Sequence, residues 1–198
     1  MNTTMVATIL SNPANGNQLT LTRQIALAIA GSLLIALASK IQVPFYPVPM
    51  TLQTLMILTI GTAYGWRLGT ATLVLYLLEG AIGLPVFAGT PEKGIGLAYM
   101  LGGTGGYLIG YVLAAACCGW LAERGWDRNV MTSAGAMLIG NILIYIPGLL
   151  WLGALYGWDK PIIEWGLTPF VLGDLTKIAL GSCLMPAIWY MFNLGKSR

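Results

Sequence analysis

The chain has no histidine, and only 9% of its 198 residues are charged. The missing imidazole excludes Ser-His-Asp and Cys-His nucleophilic sites and histidine-ligated zinc. The scarcity of charge, against roughly 25% in an average soluble domain, excludes a surface built for water. Cysteine is sparse too: Cys117 and Cys118 are adjacent and Cys183 stands alone, which gives neither a disulfide framework nor metal-ligand spacing. A net charge of +3 on scattered basic residues does not suit nucleic-acid binding. No run alternates apolar and polar residues in ten-residue units, which sets aside a transmembrane β-barrel.

What is abundant is apolar. Hydrophobic residues make up 57% of the chain and the mean hydropathy is +0.75. Uncharged stretches cover 24–39, 41–66, 94–122, 129–158 and 178–195, each near or above the roughly 18–20 residues that a crossing helix needs. A sixth, 68–83, is interrupted by Glu79. Within 41–66, Pro44, Pro47 and Pro49 forbid a regular helical ladder, so that helix is expected from about Met50. The pattern predicts an all-α integral membrane protein of about six transmembrane helices. One membrane domain over 20–193 is expected, flanked by tails at 1–19 and 194–198. Residues 1–18 are polar, lack the basic start and apolar core of a cleavable signal, and read as a cytoplasmic tail. With the N-terminus inside, Arg23, Arg67, Arg124, Arg128, Lys196 and Arg198 fall at cytoplasmic ends, against Lys40, Lys93 and Lys160 outside. That bias predicts both termini cytoplasmic, in a multi-pass protein of the cytoplasmic (inner) membrane.

Small residues mark close contacts. Ala26 with Ala30, and Ser32 with Ala36, give the first helix a flat face that suits packing within the bundle or docking of another protein. Gly61, Gly65 and Gly69 predict a thin ridge across a tight hairpin after Tyr64. Nine glycines between residues 83 and 110 predict a Gly-rich outer loop between helices three and four. Broken by Pro85 and Gly89, it is expected to fold over the outer mouth, as a lid or as a plain surface loop. Helix four is expected from about Thr104, helix five over 130–152 with a kink at Pro147, and helix six over 168–193.

Chemistry is concentrated in few places. Asp174 and Lys177 are three apart, on one face of the last helix, inside an otherwise uncharged segment. Ionisable groups at such depth are costly, which argues for a polar cavity and a ligand, or for an ion pair that only orders the bundle. Glu79 is a second candidate, facing a ligand or snorkelling to the interface. Gln53 and Asn141 are amides in apolar spans, placed for a ligand or for interhelical hydrogen bonds. Tyr107, Phe87 and Tyr99 can supply flat apolar walls. Gly195-Lys-Ser197 resembles the end of a phosphate-binding loop, but Tyr190 stands where its first glycine is required. No ATPase activity of its own, cofactor or metal is expected.

Four stretches taken together carry a resemblance: Pro47-Val-Pro-Met-Thr-Leu-Gln53, Tyr76-Leu-Leu-Glu-Gly-Ala-Ile-Gly-Leu-Pro-Val-Phe-Ala-Gly89, Gly102-Gly-Thr-Gly-Gly-Tyr-Leu-Ile-Gly110 and Gly173-Asp-Leu-Thr-Lys177. Over about residues 20–192 the chain resembles the BioY family, the biotin-binding S-components of energy-coupling factor (ECF) transporters. The resemblance implies a six-helix bundle binding biotin near the outer face, below the loop between helices three and four. It implies that Asp174 and Lys177 are the binding pair, with Gln53 near the ligand. It also implies partners in the membrane, a transmembrane coupling protein, and in the cytoplasm, a pair of ATPases. The family commonly carries proline where this chain has Gly103, which affects loop rigidity. Two other readings are a solitary facilitator without ATPases and a membrane enzyme using Glu79, Asp174 and Lys177 as an acid-base set.

Overall fold

Three prolines, at 44, 47 and 49, set the geometry of the segment that ends at the candidate site. In the computed structural model, which describes residues 4–10 and 19–196, they occupy the loop of a small antiparallel ribbon. Its strands are β1 (Gln42–Val43) and β2 (Met50–Thr51), in the register Gln42 with Thr51 and Val43 with Met50. The ribbon delays the following helix from the expected Met50 to Gln53. Among the described residues the remaining regular structure is helical. The expected tail positions 1–3, 11–18 and 197–198 lie outside the described residues.

Part of the stretch read as a plain tail is a short helix, α1 (Met5–Leu10), with Met5 buried. Next comes α2 (Leu21–Lys40), then β1, β2 and α3 (Gln53–Ala81). α3 is continuous in hydrogen bonding but not in direction: Gly65 has φ 82° and ψ 173°, a conformation that only glycine adopts readily. A straight helix would separate Gln53 from Tyr76 by about 35 Å. Instead the Gln53 Nε2 donates to the Tyr76 hydroxyl at 2.7 Å. α3 is therefore a hairpin of two antiparallel arms, the tight turn that the glycine spacing predicts. The ridge also works as expected, because a side chain on Gly61 would meet the Ala115 backbone at 2.7 Å.

Beyond a loop carrying the one-turn helix α4 (Gly96–Met100), the chain forms α5 (Gly105–Ala122) and α6 (Val130–Tyr156). α6 remains helical through Pro147 and runs four residues past the expected Leu152. A second short helix, α7 (Ile162–Gly166), and a 3-10 turn over Thr168–Phe170 lead into α8 (Val171–Lys196), which takes in part of the expected C-terminal tail. α3 packs on α2 and α5, α5 on α6, and α8 closes the bundle against α6 and α3.

The distribution of polarity is inverted relative to a soluble protein. Leu37, Ile142, Leu150 and Leu172 are at least half exposed, while Ser32, Thr72, Gln53, Asn141, Asp174 and Lys177 are buried. Among the described residues, four helical stretches have the length and hydropathy to cross a bilayer. A closed bundle of helices that satisfies its own backbone and turns leucine outward suits hydrocarbon, not water. The protein is an all-helical, multi-pass membrane protein.

Candidate ligand-binding site

The site forms at the end of the bundle where the arms of α3 meet β2 and the start of α8. Asp174 and Lys177 lie one turn apart on α8, and the Lys177 Nζ sits 2.9 Å from Asp174 Oδ1. Lys177 also donates to Thr54 Oγ1 at 2.9 Å, which spends two of its three N–H groups. The Thr54 hydroxyl donates in turn to Asp174 Oδ1 at 3.3 Å. On the other carboxylate oxygen, Asn141 Nδ2 donates at 3.3 Å and the Tyr145 hydroxyl donates as well. Asp174 thus receives four donors from three helices, about the full capacity of a carboxylate. Both ions are buried, so the network offsets a desolvation cost of several kcal/mol per ion.

This cluster lines a narrow cavity of about 30 Å³, walled also by Met50, Thr51, Tyr107 and Tyr111. A second compartment of about 20 Å³ shares Thr51, Tyr107 and Tyr111 and adds Gln53, Phe87, Tyr99 and Thr104. Each is far smaller than a ligand pocket, so a ligand enters only if the walls part. Phe87 stacks on Tyr99 with centroids 4.9 Å apart and meets Tyr76 edge-on at 5.5 Å. It fits there because residue 80 is glycine: a side chain on Gly80 would fall 2.0 Å from the Phe87 ring.

The loop carrying Phe87 is pinned from below. Ser39 donates to the Val86 carbonyl at 2.8 Å, Lys40 to the carbonyls of Phe87 and Thr90 at 2.9 and 3.2 Å, and Tyr76 to Val86 at 3.0 Å. On the opposite side the Tyr107 hydroxyl donates to the Gly166 carbonyl at 2.8 Å and so holds α7 over the cavity. Trp151 Nε1 donates to the Gly102 carbonyl at 2.8 Å, fixing the other end of the Gly-rich segment.

Of the residues singled out from the sequence, Asp174, Lys177 and Tyr107 line the first compartment, and Gln53, Phe87, Tyr99 and Tyr107 the second. Asn141 supports Asp174 from behind, and its own Oδ1 is buried without a partner. Glu79 is not brought into the cluster. It accepts from the Ser32 hydroxyl at 2.9 Å, across the α2–α3 contact. Ala26 and Ala30 are exposed, whereas Ser32 on the other small-residue face is buried.

Thr54, Tyr145, Thr51 and Tyr111 were not apparent from the sequence. Tyr145 had a usable signal, since it follows Asn141 by four and shares its face. Thr54 had none, because threonine in an apolar helix ordinarily bonds its own backbone, as Thr59, Thr62 and Thr72 do. A larger, more open groove lies between α6 and α7, lined by Ile142, Ile146, Leu149 and Leu150, with Lys160 and Glu164 at its rim. It lacks convergent polar groups and touches the site through Tyr145.

The helical membrane bundle thus carries a buried ion pair in the wall of a small two-part cavity, polar at one end and aromatic at the other. Residues 5–194 match the BioY family, and the chain belongs to that family. It is 35% identical to the probable biotin transporter BioY of Pyrococcus horikoshii, over 79% of this chain and 90% of that protein. It is also 35% identical to the biotin transporter BioY of Thermotoga maritima, over 82% and 93%. The same fold occurs in the crystal structure of the S-component for biotin from an ECF-type ABC transporter, with a TM-score of 0.73 and 24% identity over 87% of this chain and 95% of that one.

Proposed function

We propose that the protein captures biotin at the Asp174–Lys177 cavity for uptake, as the substrate-binding subunit of an ECF-type transporter in the cytoplasmic membrane. The observation that carries this reading is the buried ammonium of Lys177, which lines a cavity with one N–H unspent, in a chain of the BioY family.

Biotin offers two ureido N–H donors, a carbonyl acceptor, an apolar bicycle and a chain ending in a carboxylate. The ureido end matches the charged compartment. Its N–H groups replace the two long contacts to Asp174, from Thr54 and Asn141, each 3.3 Å. Lys177 donates its remaining N–H to the carbonyl. The aromatic compartment covers the apolar remainder of the ligand.

Six crossings are proposed: α2, the two arms of α3, α5, α6 and α8, with both termini cytoplasmic. The reading is supported by the reversal at Gly65 and by the placement of Arg23, Arg67, Arg124 and Arg128 at the end of the bundle away from the site. Ala26 and Ala30, exposed on α2, are proposed to dock the transmembrane coupling protein, which works with an ATPase pair. Ala30→Trp is expected to abolish association with these partners and leave biotin binding intact; loss of both together would count against this docking face.

Titration of the purified protein with biotin and with unrelated vitamins tests the substrate. Binding of biotin in clear preference to the others is expected, and equal binding would refute the assignment.

A further inference from the structure

We propose that the turn between the arms of α3, together with the C-terminal end of α5, binds the phosphate headgroup of an anionic phospholipid. Trp66 and Trp120 are 41% and 47% exposed at this end of the bundle. Each carries an arginine on its ring: Arg67 with its guanidinium carbon 5.2 Å from the Trp66 ring centre, Arg124 at 3.4 Å from that of Trp120. The two pairs are neighbours because Gly119 packs on the turn, where a side chain on it would come 2.4 Å from the backbone of Gly65 and Trp66. Glu123 completes the platform by accepting from the Trp66 backbone N–H at 3.2 Å. Among the described residues, ion pairs occur at Asp159–Lys160 and Asp174–Lys177, so neither arginine has a carboxylate within 4.0 Å.

A cation–π contact with indole holds each guanidinium in place while leaving N–H groups free, and a planar guanidinium fork matches a phosphate. Tryptophan at the same level places the fork at the membrane–water boundary, where lipid phosphates lie. Arg124 spends one N–H on the Trp120 carbonyl at 2.9 Å, which orients the others. Two cations with no carboxylate within 4.0 Å, beside exposed indoles, favour a lipid headgroup over a protein surface, and the small-residue face offered to partners is on another helix, α2.

The protein, purified in a zwitterionic detergent, is titrated with phosphatidylglycerol and separately with phosphatidylcholine. Retained lipid is read by native mass spectrometry and the melting temperature is followed. Phosphatidylglycerol is expected to bind at least about tenfold more tightly than phosphatidylcholine and to raise the melting temperature. The double variant Arg67→Gln, Arg124→Gln is expected to lose about thirtyfold in phosphatidylglycerol affinity, leaving phosphatidylcholine and biotin binding unchanged. Equal retention of both lipids by the wild type overturns the proposal. So does a double variant that keeps its lipid preference, including one that instead loses the coupling subunits, which would make the surface a protein contact. Biotin binding is measured on the same samples, so failure of the lipid site and failure of the substrate assignment are read separately.

Discussion

The two compartments of the cavity are built from different material. The charged one draws Thr54, Asn141, Tyr145, Asp174 and Lys177 from three helices, each side chain held by at least one other. The aromatic one takes Phe87 and Tyr99 from the Gly-rich segment, whose carbonyls are tied down by Ser39, Lys40 and Tyr76. Helices give a fixed donor and acceptor set, which suits selection of a ligand. A tethered loop gives a cover that opens when a few hydrogen bonds break, which suits admission and release.

The largest expected effect breaks the first side of this contrast. Lys177→Met leaves Asp174 buried without a cation, and biotin affinity measured by calorimetry is expected to fall about a hundredfold or more. Phe87→Ala attacks the cover. It removes the stack on Tyr99 and should weaken binding about tenfold, mostly through a faster off-rate in stopped-flow measurements. Glu79→Gln sharpens the boundary of the site. Its recorded partner is Ser32 on α2, so affinity should change by less than about threefold.

The smallest effect lies outside both compartments. Asp127, in the 3-10 turn between α5 and α6, is buried and accepts from Trp189 Nε1 at 2.6 Å. Burial pushes its carboxyl above the ordinary value, against the Trp189 hydrogen bond and the Arg128 charge. The folded-state pKa therefore exceeds the unfolded one. The stability this gives is complete below the unfolded pKa and is lost as pH rises through the folded one. Asp127→Asn keeps an acceptor for Trp189, so it should flatten this acid-range dependence, raise the melting temperature slightly at pH 7 and leave biotin affinity unchanged.

The same contrast explains what could be read in advance. Asp174 and Lys177 were visible because charge is conspicuous in an apolar segment, and the Gly65 hairpin because glycines at 61, 65 and 69 make sense only at a close crossing. The ribbon of β1 and β2 was not visible, since two-residue strands leave no period to detect, and neither was α1, only six residues long. Thr54 is recruited by Asp174 across a tertiary contact that no local pattern encodes, whereas Tyr145 is signalled only by its four-residue spacing from Asn141. Glu79 was a second candidate, for a ligand or for the interface; only packing revealed that a serine of α2 answers it.

The most direct measurement is a crystal structure of the protein with biotin bound. The account predicts the ureido ring within hydrogen-bond reach of Lys177 Nζ and Asp174, and the apolar remainder against Phe87 and Tyr99. Biotin seated in the groove between α6 and α7, with the Asp174–Lys177 network unchanged, would contradict it.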